Sequence, residues 1–112
     1  MANNENGEKY IDLDDALKRV GGNMALYKKL LTRFVDSTYL QDVVDSVQGG
    51  NMEEASRHAH TLKGVAANLS LVQVRALCIE LEGKIHDGQD CVGCVENLKQ
   101  AVGVTIEKIA EL

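Results

Sequence analysis

Apolar residues recur every three or four positions along most of the chain, the spacing that puts them on one face of an α-helix. The clearest stripe runs from Met52 to Leu69, and two later stripes cover 71–85 and 92–112. An earlier stripe covers 24–47, and we expect a bend or a new helix start near Ser37 and Thr38. Alternating strand patterns are missing from the sequence. The pattern therefore predicts an all-α chain.

Helix start and stop signals agree with these stripes. Polar residues stand at the expected starts and glycine-containing pairs at the expected stops: Asp12, Asn23, Asn51, Gly21-Gly22, Gly49-Gly50 and Asp87-Gly88. Ser70 with Gln73 matches a capping box, so we expect Ser70 to start the helix over 71–85.

Short loops between amphipathic segments predict an antiparallel four-helix bundle with a short extra N-terminal helix after Asp12. Residues 1–10 are predicted to be a flexible N-terminal arm, and residues 11–112 to form the helical domain.

Composition excludes several classes of protein. The chain has 112 residues, enough for one domain, with 45% hydrophobic and 26% charged residues and no proline. A net charge of −5 argues against a general nucleic-acid binder. There is no apolar run long enough to span a membrane, and the polar N-terminus does not resemble a secretory signal. The three cysteines suggest no disulfide framework, so we expect a reducing, cytoplasmic location.

Candidate chemistry concentrates around His60. At 100° per residue, His60 falls about 135° from the centre of its helix's apolar stripe, on the solvent side. Gly64 lies beside it at i+4, Lys63 at i+3, and the small residues Ser56 and Ala67 flank it. A helix-interior glycine costs about 1 kcal/mol relative to alanine, so Gly64 calls for a functional reason, such as close approach of a partner. Lys63 is suited to stabilising negative charge on a transferred phosphoryl group.

The other histidine and cysteine motifs indicate structural roles. His58 is predicted to be part-buried and points about 200° away from His60, so the pair cannot bind one metal ion. Cys91 and Cys94 form a C-x-x-C that opens a helix, where a redox pair remains an alternative to plain helix residues. Cys78 is expected in the core.

The stretch HAHTLKGVAANLS closely resembles the motif of histidine-containing phosphotransfer (HPt) domains of two-component phosphorelays. The matching core is A-H-T-L-K-G, residues 59–64, and the likeness extends over the helical layout from about Asp12 to Leu112. One departure is that Asn68, Leu69 and Ser70 stand where the family often has glycine, which leaves the local helix end open.

The resemblance implies that His60 accepts a phosphoryl group from a receiver-domain aspartate and passes it to the aspartate of another receiver. The expected partners are receiver domains of a hybrid sensor kinase and of a response regulator, docking around Ser56, Arg57 and Ala67. The family implies a monomeric phosphocarrier without kinase activity or cofactor of its own, with Mg²⁺ on the partner receiver domain.

Two alternatives stay open at this point. The same surface would serve a non-phosphorylated helical adaptor that binds receiver or kinase domains without taking up a phosphoryl group. The chain would also suit a phosphotransfer domain that is part of a larger hybrid kinase. The basic residues Lys28, Lys29 and Arg33 are interpreted as a solvated helix face, with partner docking possible if the fold brings them near His60.

Overall fold

The computed structural model describes residues 9–112, and every regular element in that range is an α-helix. The elements are α1 (Leu13–Arg19), α2 (Met24–Val35), α3 (Tyr39–Gln48), α4 (Met52–Asn68), α5 (Val72–His86) and α6 (Val92–Ala110). The prediction of an all-α fold is confirmed. Residues 1–8 of the predicted arm lie outside the described residues. Tyr10, also placed in that arm, is attached to the helical domain, because its carbonyl accepts a 2.9 Å hydrogen bond from the Val72 N–H.

Helices α3 to α6 form the bundle. α3 packs against α4 and α6, and α5 packs against α4 and α6, which closes a ring of four. Loops of only a few residues join these helices, as expected for antiparallel neighbours. α1 is the predicted short extra helix.

The expected new helix start near Ser37 and Thr38 is confirmed, since residues 24–47 form two helices, α2 and α3. α2 ends at Val35, where the Ser37 hydroxyl donates a 2.6 Å hydrogen bond to the Phe34 carbonyl. α2 packs against α1 and α6, and it is not one of the four helices that form the ring. The hydroxyl of Tyr27 ties it to the end of α4 by donating to the Leu69 carbonyl at 2.6 Å. Burial raises the pKa of Tyr27 to about 12, so the hydroxyl keeps its proton for this bond.

The core occupies the inside of the ring and continues under α1 and α2. Its largest fully buried side chains are Tyr27, Leu31, Leu62, Leu71, Leu81, Leu98, Val43, Val74, Thr105 and Cys78. Two apolar residues at helix starts depart from the predicted stripes, since Met52 is exposed and Val92 is 63% exposed.

Three of the four expected N-caps are confirmed. The side chains of Asp12, Asn23 and Asn51 each accept a hydrogen bond from the backbone N–H three residues later. The prediction that Ser70 caps α5 is wrong, because the N-cap of α5 is Leu71, which makes no side-chain capping bond.

Ser70 instead closes α4. It has φ of 58°, the left-handed conformation that glycine adopts most easily. The Leu71 N–H bonds to the Ala66 carbonyl and the Ser70 N–H to the Ala67 carbonyl, which is a Schellman motif. The Ser70 hydroxyl donates a 2.7 Å hydrogen bond to Asp15 of α1. A serine thus takes a left-handed position that favours glycine, and its side chain ties α1 to the turn between α4 and α5.

The hydrogen bond between Ser70 and Asp15 makes the free energy of unfolding depend on pH. The Ser70 hydroxyl, followed by Arg19, lowers the pKa of Asp15 below its usual value of 3.8. A lowered folded-state pKa stabilises the protein above the unfolded value, and that contribution is lost as pH falls through the folded value. We therefore expect the stability gap between wild type and Asp15→Asn to shrink below pH 3.8 in denaturant titrations.

The matched controls for this prediction are two substitutions of Ser70. Ser70→Gly should be more stable than Ser70→Ala by about 1 kcal/mol, because only glycine relieves the positive φ. Both should reduce the pH dependence that Asp15 contributes, and the part that comes from Arg19 should remain. If Ser70→Ala keeps the acid dependence of wild type, the hydrogen bond to Asp15 is not its source.

Candidate functional site

α4 presents His60 to solvent. Its side chain is 72% exposed, as the helical position predicts, and it stands on the face opposite the buried residues Ala59, Leu62 and Ala66. Capping by Asn51 sets the start of this helix, so its register is fixed two turns before the histidine. The imidazole therefore projects into solvent from a helix whose opposite face is packed in the core.

Glu82 of α5 orients the ring. Its Oε2 lies 3.3 Å from His60 Nδ1, and a carboxylate can only accept, so Nδ1 carries the proton and donates. The opposite nitrogen, Nε2, is then left with a free lone pair in the neutral ring. An exposed imidazole held in this tautomer is a nucleophile with its reactive nitrogen directed away from the carboxylate.

Lys63 forms an ion pair with the same Glu82 carboxylate. Its Nζ lies 2.8 Å from Glu82 Oε1, and both side chains are mostly shielded, at 29% and 23% exposed. Oε1 is buried and makes no directed hydrogen bond, so the lysine ammonium is what compensates it. His60, Lys63 and Glu82 therefore form one connected polar group across the interface of α4 and α5.

Gly64 leaves open space beside the histidine. A Cβ at this position would meet no atom within 4 Å, and the residue is exposed. Packing therefore gives no reason for glycine here, although alanine would stabilise the helix. The absence of a side chain leaves the approach to His60 from the C-terminal side of α4 unobstructed.

A shallow groove of about 620 Å³ runs beside His60 between α4 and α5. Its lining residues are Met52, Glu53, Ser56, Arg57, His60, Thr61, Glu82 and Ile85. Two of the predicted partner-binding residues, Ser56 and Arg57, lie in this groove, and Ala67 is half-buried on α4 outside it. Ile79, 46% exposed, stands one turn before Glu82 on α5 and adds apolar surface.

His58 is part of the packing, as predicted. It is half-buried, and its Nε2 lies 3.6 Å from Glu54, the same carboxylate that pairs with Arg57. Among residues 9–112 the structure has no cluster of three side chains able to bind a metal ion.

The three cysteines are buried free thiols. Burial raises the pKa of Cys94 to about 11 and that of Cys78 to about 12, and it raises the pKa of Cys91 too. Cys94 donates to the Leu77 carbonyl of α5, and Cys91 is the residue before α6. A reactive dithiol needs a lowered pKa, so this environment favours the structural interpretation of the C-x-x-C.

Glu82 is the site residue that sequence reasoning missed. It lies 22 positions from His60 and matches no motif. The signal available was its place beside Cys78, Leu81 and Ile85, at the edge of the apolar stripe of α5. An acidic residue there borders a neighbouring helix, but the stripe does not say which residue of that helix it meets.

Comparison with known proteins gives one match. The family model described as the Hpt domain matches residues 29–108. Neither the curated proteins nor the solved structures that were searched gave a match to the chain. No helix within residues 9–112 is at once long and apolar enough to cross a membrane.

Proposed function

The chain belongs to the Hpt domain family, whose role is histidine phosphotransfer in two-component systems, and we propose that His60 is its phosphorylated residue. The observation that carries the proposal is the exposed imidazole, whose Nδ1 is held by Glu82 while Nε2 is free. Hpt domains are phosphocarrier modules and not kinases, and we propose that this chain likewise has no ATP-dependent activity of its own.

The proposed reaction is a displacement at phosphorus. The Nε2 lone pair of His60 attacks the phosphoryl group of a receiver's aspartyl phosphate, the P–O bond to that aspartate breaks, and a P–N bond forms. The departing aspartate keeps the electron pair as a carboxylate. The ring becomes a phosphorylated imidazolium, and its Nδ1 proton stays hydrogen-bonded to the Glu82 carboxylate, which balances the new positive charge. Transfer to the second receiver reverses these steps.

Lys63 supplies a positive charge that can move from Glu82 to the phosphoryl group. In the structure its ammonium is paired with Glu82, within one helical turn of His60. When a phosphoryl group arrives at Nε2, the ammonium can turn from the carboxylate to the phosphoryl oxygens, since the lysine stem is flexible. The Mg²⁺ that phosphoryl transfer uses is assigned to the receiver partner.

The groove and the open surface at Gly64 form the proposed docking site for receivers. Ser56 and Arg57 border the histidine on one side, and Gly64 and Ala67 follow it along α4. The small residues Ser56, Gly64 and Ala67 let a partner bring its phosphoryl group within bonding distance of Nε2. Receivers of a hybrid sensor kinase and of a response regulator would use this surface in turn.

The experiment that tests the function is a two-step relay. A receiver domain labelled on its aspartate is mixed with the protein, and then a second receiver is added with Mg²⁺. We expect acid-labile, base-stable label on the protein that moves on to the second receiver. Receivers that bind without transferring any label would instead support the adaptor alternative.

Glu82 provides a prediction for the chemistry. Removing its carboxylate takes away the acceptor for the Nδ1 proton, so Glu82→Ala should slow label uptake about tenfold, the equivalent of one charge-assisted hydrogen bond. The same substitution should shift neutral His60 from the Nδ1–H toward the Nε2–H tautomer, seen in the ¹⁵N shifts of the ring.

The matched control is Glu80→Ala, an exposed carboxylate two residues away on the same helix. It makes the same change in charge and should alter neither the rate nor the tautomer. A Glu82→Ala variant that keeps the wild-type tautomer would show that the carboxylate does not orient the ring.

A further inference from the structure

A second concave surface lies where α2, α3 and α4 meet. This cleft encloses about 310 Å³, and its lining residues are Leu30, Arg33, Phe34, Tyr39, Val65, Asn68 and Leu69. Its walls are mainly apolar, while the guanidinium of Arg33 and the amide of Asn68 are on exposed residues. The shape and chemistry suit an apolar side chain with a polar or charged neighbour.

The helix on one side of the cleft is positively charged. Lys28, Lys29 and Arg33 are all exposed on α2, and α2 contains no acidic residue. Within residues 9–112, none of these three cations forms an ion pair. In a chain of net charge −5 this is a local excess of positive charge, which favours an acidic partner.

An exposed ridge connects the cleft to the histidine. His60, Gly64 and Asn68 follow one another at four-residue spacing on α4, and all three are exposed. Asn68 lies about 12 Å along the helix from His60 and about 80° around it. A standard interface of about 800 Å² per partner has a radius of about 16 Å, so a protein centred on His60 can reach Asn68 at the rim of the cleft.

We propose that this cleft is a second docking subsite for the receiver partner, and the proposal rests on the phosphotransfer function proposed above. A receiver seated over His60 and Gly64 extends along the ridge and places an apolar side chain in the cleft, with a carboxylate against Arg33. The subsite takes no part in the chemistry. It determines which receivers bind well, because a receiver without the carboxylate leaves the Arg33 charge unpaired.

The test separates binding from transfer. Affinity for a panel of isolated, unphosphorylated receiver domains is measured by titration calorimetry, and label uptake from the same receivers is measured as a function of concentration. Arg33→Glu should weaken binding of the preferred receiver by about tenfold or more, with Arg33→Gln intermediate. The transfer rate at saturating receiver should stay at the wild-type value, since His60, Lys63 and Glu82 are untouched.

Lys18→Glu is the matched control. Lys18 is an exposed cation on α1 outside the cleft, so the substitution makes the same change in net charge. It should change affinity by less than about twofold, and the affinity of wild type should fall more steeply with salt than that of Arg33→Glu.

Each outcome has a distinct meaning. Equal effects of Arg33→Glu and Lys18→Glu on affinity overturn the subsite, even if His60 is phosphorylated as proposed. Receivers that bind through Arg33 but never label His60 overturn the phosphotransfer function and leave the subsite standing. If no receiver binds, or if Arg33→Glu abolishes binding to phosphatidylserine vesicles and leaves receiver affinity unchanged, the cleft is not a receiver subsite.

Discussion

His60→Gln is expected to abolish phosphoryl uptake from receivers, to below about a thousandth of the wild-type rate. Glutamine keeps a polar side chain of similar length but has no nitrogen lone pair able to form a bond to phosphorus. His60 is 72% exposed and outside the core, so the stability of the variant should stay within about 0.5 kcal/mol of wild type. Loss of label would then report lost chemistry and not lost folding.

The control is the neighbouring histidine. His58→Gln changes a half-buried side chain whose contact is Glu54, and it should take up label at a rate close to that of wild type. Label is followed by gel autoradiography after acid and base treatment, with circular dichroism to verify the helical fold. Full labelling of His60→Gln, or loss of label in His58→Gln alone, would contradict the assignment of His60.

The second large effect is expected at Gly64. Gly64→Gln places a side chain where the structure has open space, one turn from His60. It should obstruct a partner that must bring its phosphoryl group to within bonding distance of Nε2, and a displacement of about 1 Å costs about a hundredfold in rate. The same change should raise the free energy of unfolding by about 0.5–1 kcal/mol, because glycine is a poor helix former.

Gly103→Gln separates these two consequences. Gly103 is also an exposed helix glycine with no atom near its Cβ position, but it lies on α6, whereas His60 lies on α4 and faces α5. It should gain the same stability in urea unfolding and transfer phosphoryl groups as wild type does. If Gly64→Gln transfers as fast as Gly103→Gln, open space beside His60 is not needed for the reaction.

The helices and the exposed face of α4 could be predicted from the sequence, because both depend on the spacing of apolar residues along the chain. A residue's angular position on a helix follows from its number alone, so the exposure of His60, the burial of Leu62 and the half-buried state of His58 could all be predicted. Caps at Asp12, Asn23 and Asn51 are equally local, since each bonds a backbone group three residues away.

Local patterns were insufficient where a distant residue competes for the same group. Ser70 with Gln73 matched a capping box, but the Ser70 hydroxyl bonds instead to Asp15, 55 positions earlier. Met52 and Val92 fit the apolar stripes, yet they are 38% and 63% exposed. Burial and the Ser70 hydrogen bond both depend on how the helices pack, which local spacing does not specify.

The helical fold and the solvent side on which His60 stands could be predicted from the sequence, because helical periodicity and capping act over a few residues. The family likeness was carried by the motif at residues 59–64. The packing of whole helices was needed to show that Glu82 meets both His60 and Lys63, and that residues of α2, α3 and α4 line one cleft. Those pairings depend on the register in which whole helices pack, and that register is fixed by the fit of their side chains across the interface.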